Sequence, residues 1–169
     1  VDSKIETLNS FLGQYGSSQY YDDVLYELGN TYINNNQVNS GLQTYDKLIS
    51  EYPNSRYTAP AMMRKGLQFY NDNRLNEALA VFKQVASKYA GTPQAVEAVS
   101  SARLVYIDQG KTAEYASWVR GLDFIDVTDS ELDDTAYESA ERPFLQGNMS
   151  SATHELKKYL EQFPNGKYA

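Results

Sequence analysis

The chain has 169 residues, of which 41% are hydrophobic and 22% charged, and its formal net charge is −7. This acidic balance argues against a nucleic-acid partner, which needs clustered Lys and Arg, and no stretch reaches the roughly 20 apolar residues of a membrane-spanning helix. The absence of cysteine excludes disulfides, thiolate metal ligands and a cysteine nucleophile.

Apolar residues recur at helical spacing along the chain and predict an all-α fold. Leu25, Leu28 and Tyr32 lie at positions i, i+3 and i+7 of one helix face, and Tyr45, Leu48 and Tyr52 repeat this spacing in the next helix. In chain order, we predict helices over residues 2–14, 20–35, 38–51, 58–72, 75–88, 93–109, 111–124, 129–146 and 149–162.

An aromatic residue recurs with a period of 37 residues. The aromatic residues are Tyr15, Tyr52, Tyr89 and Phe163, and the equivalent position between the last two is Asp126. A fixed period of this length is typical of stacked repeats, each a pair of antiparallel helices. We predict a single solenoid segment over residues 1–169, and we expect it to be part of a longer array. It divides into the second helix of a preceding repeat with its linker (1–21), repeat 1 (22–58), repeat 2 (59–95), repeat 3 (96–132) and repeat 4 (133–169).

The turn inside each repeat is marked by a residue that adopts the left-handed conformation easily. At this position the four repeats have Asn36, Asn73, Gly110 and Gly147. Between repeats, Thr92 followed by Pro93 predicts an N-cap and a first-turn proline. We expect Asp129 or Ser130 to cap the first helix of repeat 4.

Repeats 3 and 4 depart from the pattern. Repeat 3 has Arg103 and Tyr115 where the other repeats have small residues, and it has Asp126 at the aromatic position. We therefore expect its second helix to pack less regularly. Repeat 4 places Pro143 inside a helix, where it should kink or loosen a turn.

Repeat 1 resembles the tetratricopeptide repeat signature through Leu28, Gly29, Tyr32, Gly41, Tyr45 and Pro53. The resemblance implies an α-α superhelix of the tetratricopeptide type. The phrases EYPNSRY (51–57) and QFPNGKY (162–168) are similar to the bacterial cell-envelope branch of this family, which includes outer-membrane assembly lipoproteins and periplasmic coordinators of constriction. This similarity implies a periplasmic or outer-membrane-associated protein and leaves a cytoplasmic one open.

In this family the first helix of each repeat lines a concave groove. Carried over by register, the resemblance implies a partner-binding set of Tyr26, Asn30, Ile33, Asn34, Met63, Leu67, Tyr70, Asn71, Leu104, Asp108, Tyr137 and Phe144. The neighbouring groove-facing positions are Asp23, Glu97, Ser100, Ile107, Glu141 and Leu145. Because Tyr26 stands where chaperone-tail binders need Lys, we expect no binding to acidic C-terminal tails.

No catalytic, cofactor or metal site emerges from the sequence. His154 is the only histidine and lacks converging ligands, so we interpret it as a surface residue. The acids between Asp123 and Asp134 lack the alternating ligands and glycine of a calcium loop, and acids are favourable at a helix start. Trp118 is interpreted as core, with an interface anchor as the alternative.

These observations favour a non-catalytic scaffold that binds a protein or peptide. Two alternatives stay open: a structural spacer between other domains, and the non-catalytic part of a larger enzyme. A further alternative is that the groove is filled by other repeats of the same chain.

Overall fold

The computed structural model describes residues 2–169, and these form nine α-helices and no strand. The helices are α1 Asp2–Gln14, α2 Tyr21–Asn34, α3 Val38–Glu51, α4 Thr58–Asn71, α5 Leu75–Lys88, α6 Pro93–Asp108, α7 Thr112–Val119, α8 Asp129–Leu145 and α9 Met149–Gln162. The predicted all-α class is confirmed, and only α7 departs clearly from its predicted bounds. Among the described helices, none has the length and apolar character that a membrane span requires.

The four predicted turn residues adopt the left-handed conformation. Their φ angles are 59° at Asn36, 58° at Asn73, 68° at Gly110 and 78° at Gly147. After Asn36, Gly110 and Gly147 the next backbone N–H donates back to a carbonyl five residues earlier, as in Gln37 N to Tyr32 O at 2.8 Å. These bonds satisfy carbonyls that the helix end leaves without partners. The short turns make the helices of a pair antiparallel.

The described chain divides into two compact units, residues 2–72 and 73–169. In the first unit, α1 packs on α2, α2 on α3 and α3 on α4. Its core contains Tyr21, Leu25, Tyr45, Leu48 and Ala61, and Leu12 of α1 packs against that cluster. Burial of these side chains supplies the main stabilisation, since an isolated 14-residue helix is marginal in water.

The second unit contains α5 to α9. Helix α6 packs on α5, α7 and α8, while α8 also packs on α7 and α9. Its last helix pair is centred on Ala136, Ala140 and Tyr159, with Leu156 and Phe163 packed around them. Trp118 is half-buried beside the rings of Tyr106 and Tyr115, in agreement with its interpretation as a packing residue. His154 is exposed on α9.

One of the two predicted helix caps is correct. Thr92 caps α6 by accepting from Ala95 N at 3.2 Å. The prediction of Asp129 or Ser130 as the cap of α8 is wrong, because Thr128 occupies that position. Its hydroxyl accepts from Glu131 N, and the Glu131 carboxylate accepts from Thr128 N at 2.8 Å, which forms a capping box.

Helix α8 continues through Pro143 to Leu145, so the proline does not end it. Helix α7 ends at Val119, although the pattern predicted a helix to residue 124. Gly121 lowers helix propensity, and Asp123 and Asp126 place negative charge where the helix dipole is also negative. These residues account for the early end of α7.

Candidate partner-binding surface

Three groove residues predicted on α2 are engaged within the first unit. Asn30 Oδ1 accepts from Tyr45 Oη at 2.7 Å. The Tyr26 ring stacks on Tyr57 with centroids 5.2 Å apart and an interplanar angle of 23°. Ile33 packs against Gly41 of α3, where an added Cβ would lie 2.6 Å from Ile33 Cδ1. These side chains therefore hold the repeat together, and only their outer edges face solvent.

The remaining predicted residues of the first unit differ in accessibility. Met63 is buried in α4, so its side chain offers no area to a partner, and we leave it out of the surface. Leu67 and Tyr70 are half-buried. Asn34 and Asn71, each near the end of a first helix, are exposed.

In the second unit, α6 presents a row of exposed side chains at helical spacing. Val96 is 46% exposed and Leu104 is 39% exposed, and Ser100 between them is exposed as well. The three residues follow one another at intervals of four, so they lie on one face of the helix. Leu104 and Ser100 are among the positions predicted to face the groove. Val96 was missed, although the same four-residue spacing would have identified it.

On α8, the predicted residue Tyr137 stacks on Tyr168 with centroids 4.0 Å apart and an interplanar angle of 12°. Phe144 is 51% exposed near the end of the helix. Asp108 of α6 forms an ion pair with Arg142 of α8, so this predicted partner residue is already engaged. The two tyrosine stacks, Tyr26 on Tyr57 and Tyr137 on Tyr168, lie three 37-residue periods apart and share the same register.

Residues of α6 and α8 meet at the N-terminal half of this face. Val96 and Ser100 share a small cavity of about 290 Å³ with Glu131 and Asp134. Asp134 in turn accepts from Tyr168 Oη at 2.8 Å, and Tyr168 covers Tyr137. We define the α6–α8 surface by its seven residues: Val96, Ser100, Leu104, Glu131, Asp134, Tyr137 and Tyr168.

The acids of this surface are held in the charged form. Backbone and side-chain hydrogen bonds from Thr128 lower the pKa of Glu131 below its usual value. Hydrogen bonds from Tyr168 and Lys167 lower the pKa of Asp134. The hydrogen bond to Glu141 is the main cause that raises the pKa of Tyr137, which therefore stays a neutral phenol. At neutral pH the surface thus combines apolar side chains with the charged carboxylates of Glu131 and Asp134, of which Asp134 is paired with Lys167 at 3.1 Å, and Arg103 lines the same cavity.

The described residues contain no cluster of three or more His or acidic side chains arranged to hold a metal ion. Glu131 accepts a hydrogen bond from Thr128, Asp134 accepts from Lys167 and Tyr168, and Glu138 accepts from Arg103. The α6–α8 surface offers apolar contact area and charge pairing.

Comparison with known proteins supports the repeat assignment. The Tetratricopeptide repeat family model matches residues 23–55 and 60–92, which lie in repeats 1 and 2. No curated protein matches the chain significantly.

Two solved structures share the fold. A crystal structure of nearly identical TPR-like repeats from a putative kinesin light chain of Podosopora anserina aligns with a TM-score of 0.57 and 13% identity, over 96% of this chain and 87% of that one. A glutamine-to-methionine variant of the same Podosopora anserina repeats aligns with a TM-score of 0.56 and 13% identity, over 94% and 84%. Two segments of the chain are therefore similar to the Tetratricopeptide repeat family model, and the chain as a whole has an all-α, TPR-like fold.

Proposed function

We propose that the chain is a non-catalytic scaffold that binds a segment of another protein through the α6–α8 surface. The observation that carries the proposal is the exposed row of Val96, Ser100 and Leu104 beside the acids Glu131 and Asp134. Tetratricopeptide repeats generally bind proteins or peptides, so this use agrees with the family model that matches repeats 1 and 2.

The chemistry of the surface indicates the kind of segment. Val96 and Leu104 supply apolar contact area, and the Tyr168 ring adds an aromatic face with a hydroxyl. The exposed carboxylate of Glu131 attracts Lys or Arg and repels acidic residues, whereas Asp134 is already paired with Lys167. We therefore expect a segment in which apolar residues alternate with basic ones, and an acidic tail is disfavoured on the same ground.

The experiment begins with selection of binders from a random peptide library, followed by titration of the best peptide against the 169-residue chain. Leu104→Asp should weaken binding about tenfold or more, because it removes apolar contact and adds a like charge. Leu160→Asp is the matched control, since Leu160 of α9 is 45% exposed and lies outside the surface. Equal affinities of the two variants would contradict the assignment.

The bacterial envelope is the compartment that we propose for this scaffold. Its support is the similarity of the linkers 51–57 and 162–168 to those of envelope members of the family. Fractionation of cells that produce the complete gene product tests it, and recovery in the cytoplasm alone would refute it.

A further inference from the structure

Repeat 3 lacks the tyrosine stack that repeats 1 and 4 share. The counterparts of Tyr137 and Tyr168, one 37-residue period earlier, are Ser100 and Glu131. Both of these side chains are exposed, and both line the cavity of about 290 Å³ in the α6–α8 surface. The position that two stacked rings occupy in repeats 1 and 4 is therefore an open cavity in repeat 3.

The exposure of Val96 shows that other side chains do not close this position. Val96 is 46% exposed, whereas its counterparts Ala59 and Asp133 are 7% and 6% exposed. In repeat 4 the linker covers this position, because Lys167 N donates to Asp133 Oδ2 at 2.6 Å. In repeat 1, Asp22 at the same register accepts from the linker at 2.6 Å. A valine has no acceptor in its side chain and cannot hold a linker in this way.

The linker of repeat 3 leaves the cavity uncovered because its last three residues belong to α8. Residues 55–57 and 166–168 lie outside the helices, and their counterparts by register are residues 129–131. Helix α8 begins at Asp129. The Glu131 carboxylate accepts from Thr128 N at 2.8 Å, so this side chain is held at the start of α8 by the capping box.

In repeats 1 and 4 the covering residues are a basic residue followed by a tyrosine. Arg56 precedes Tyr57, and its guanidinium carbon lies 4.7 Å from the centroid of the ring. Lys167 precedes Tyr168, with Nζ 5.0 Å from the ring centroid, and it also pairs with Asp134 at 3.1 Å. The chain itself thus shows which two side chains this position accepts, a stacking ring and the cation beside it.

The charge of the cavity in repeat 3 suits the same two side chains. Among the described residues that line it, three are acids and one is a basic residue, namely Asp126, Glu131, Asp134 and Arg103. Arg103 already donates to Glu138 at 2.7 Å. Asp126 and Glu131 are exposed, so their carboxylates favour the approach of a cation.

We propose that this cavity receives a tyrosine side chain of the partner segment, with a lysine or arginine directly before it. This anchor is part of the α6–α8 surface and depends on the proposed function of that surface. The tyrosine ring lies against the apolar side chains of Val96 and Val127, and the basic group faces Asp126 and Glu131. A cavity of about 290 Å³ suits a single side chain, since sites for whole small molecules have about 300–1,000 Å³.

The probe is a capped peptide of residues 162–169, which contains Lys167 and Tyr168. It is titrated into the full 169-residue chain with isotope-labelled Val and Leu methyl groups. We expect binding in the millimolar range, with ring-current shifts at the methyl groups of Val96 and Val99, which line the cavity. A peptide with Tyr168→Ala should cause no such shifts, and one with Lys167→Glu should bind about threefold more weakly.

The matched protein variant closes the cavity from within by Ser100→Tyr and Glu131→Tyr, which restore the two rings of repeat 4. It should lose the shifts caused by the peptide, whereas Thr153→Tyr, at an exposed position of α9, should keep them. If the double variant does not fold, Glu131→Gln takes its place. This substitution retains an acceptor for the capping box and should weaken binding of the peptide about threefold.

Two outcomes would overturn the inference and leave the α6–α8 surface in place as a binding site. The first is peptide-induced shifts at Leu104 without shifts at Val96, and the second is a set of library-selected binders that lack a basic residue followed by tyrosine. Failure of the proposed function has a different signature, because Leu104→Asp would then leave the affinity of the selected binders unchanged. The absence of any methyl shift at millimolar peptide would also overturn the inference.

Discussion

Replacing Gly29 by alanine should destabilise the first unit, although alanine is the better helix former. A Cβ atom at this position would lie 2.6 Å from Tyr45 Cδ1 and closer still to Cε1. The Tyr45 ring cannot easily move away, since it is 1% exposed and its hydroxyl donates to Asn30 Oδ1. The clash must therefore be relieved by moving α2 and α3 apart.

Two opposing free energies set the magnitude. Overpacking a core costs about 1–3 kcal/mol, and the upper end applies because the ring is held by packing and by its hydrogen bond. Exchange of glycine for alanine inside a helix returns about 1 kcal/mol. We therefore expect the free energy of unfolding of the first unit to fall by about 2 kcal/mol.

Two other glycines provide matched controls for the same substitution. Gly13→Ala in α1 meets no heavy atom within 4 Å and should be neutral or stabilising by up to about 1 kcal/mol. Gly41→Ala meets the Ile33 side chain, which can rotate away, and the backbone oxygen of Gly29 at 3.2 Å, so its effect should fall between the other two. Repeat 4 already has Ala152 at the counterpart of Gly41, and there Phe144, the counterpart of Ile33, is exposed.

Urea unfolding measured by hydrogen exchange of α2 amides reports on this unit. Equal stability of Gly29→Ala and Gly13→Ala would mean that a Cβ atom at position 29 does not clash with Tyr45. A double variant makes the test more specific. Repeat 4 has Ala140 and Leu156 at the positions equivalent to Gly29 and Tyr45. Adding Tyr45→Leu should cost less in the Gly29→Ala background than in the wild-type chain, and additive costs would mean that the two positions do not interact.

Three further predictions concern the second unit. Thr128→Ala should lower the stability of the second unit by about 1 kcal/mol, because the capping box of α8 is lost. Thermal unfolding measures this change, and Thr153→Ala, at an exposed position of α9, should leave the stability unchanged. Burial, and then the hydrogen bond to Asp133, raise the pKa of Tyr159 from 10 to about 12. The stability contributed by its neutral phenol is complete below about pH 10 and is lost as the pH rises towards 12. Tyr159→Phe should remove this part of the alkaline loss. Arg103→Met should destabilise more at low salt than at high salt, because Arg103 donates to Thr135 and Glu138, while Arg120→Met should change little at either salt concentration.

The sequence contained enough information for most of the fold. The turn residues Asn36, Asn73, Gly110 and Gly147 were predictable because few residues adopt a positive φ without strain. The contact of Gly29 with the ring of Tyr45 could be predicted by comparing these two positions across the repeats. Where one position has an aromatic ring, the other must be glycine. Both features depend on local or strictly periodic sequence patterns. They can therefore be predicted from the sequence alone.

The candidate surface was less predictable because its residues are engaged by partners distant in sequence. Tyr137 is covered by Tyr168, which is 31 positions further along the chain, and Asp108 pairs with Arg142. The helical pattern predicts which face of α8 carries Tyr137. It does not predict that the ring of Tyr168, from the segment after α9, stacks on Tyr137. The end of α7 was missed for a related reason: apolar Leu122 and Ile125 continued the helical pattern beyond the residues that end it.

Repeat 3 shows how a repeat can lose its signature and keep its core. In repeat 1 the bulky ring is Tyr45 and the facing position is Gly29, whereas repeat 3 has Val119 and Arg103 at these positions and places its ring at Tyr115. Tyr115 is buried against Tyr106 and Trp118, so the pair α6–α7 still has an aromatic core. Arg103, freed from the close approach that needs glycine, reaches α8 and bonds to Glu138. The second helix of repeat 3 is nevertheless short, since α7 ends at Val119. Local departures from a repeat pattern that leave the core intact are expected at functional sites, and this agrees with the proposed role of the α6–α8 surface, whose α6 residues belong to repeat 3.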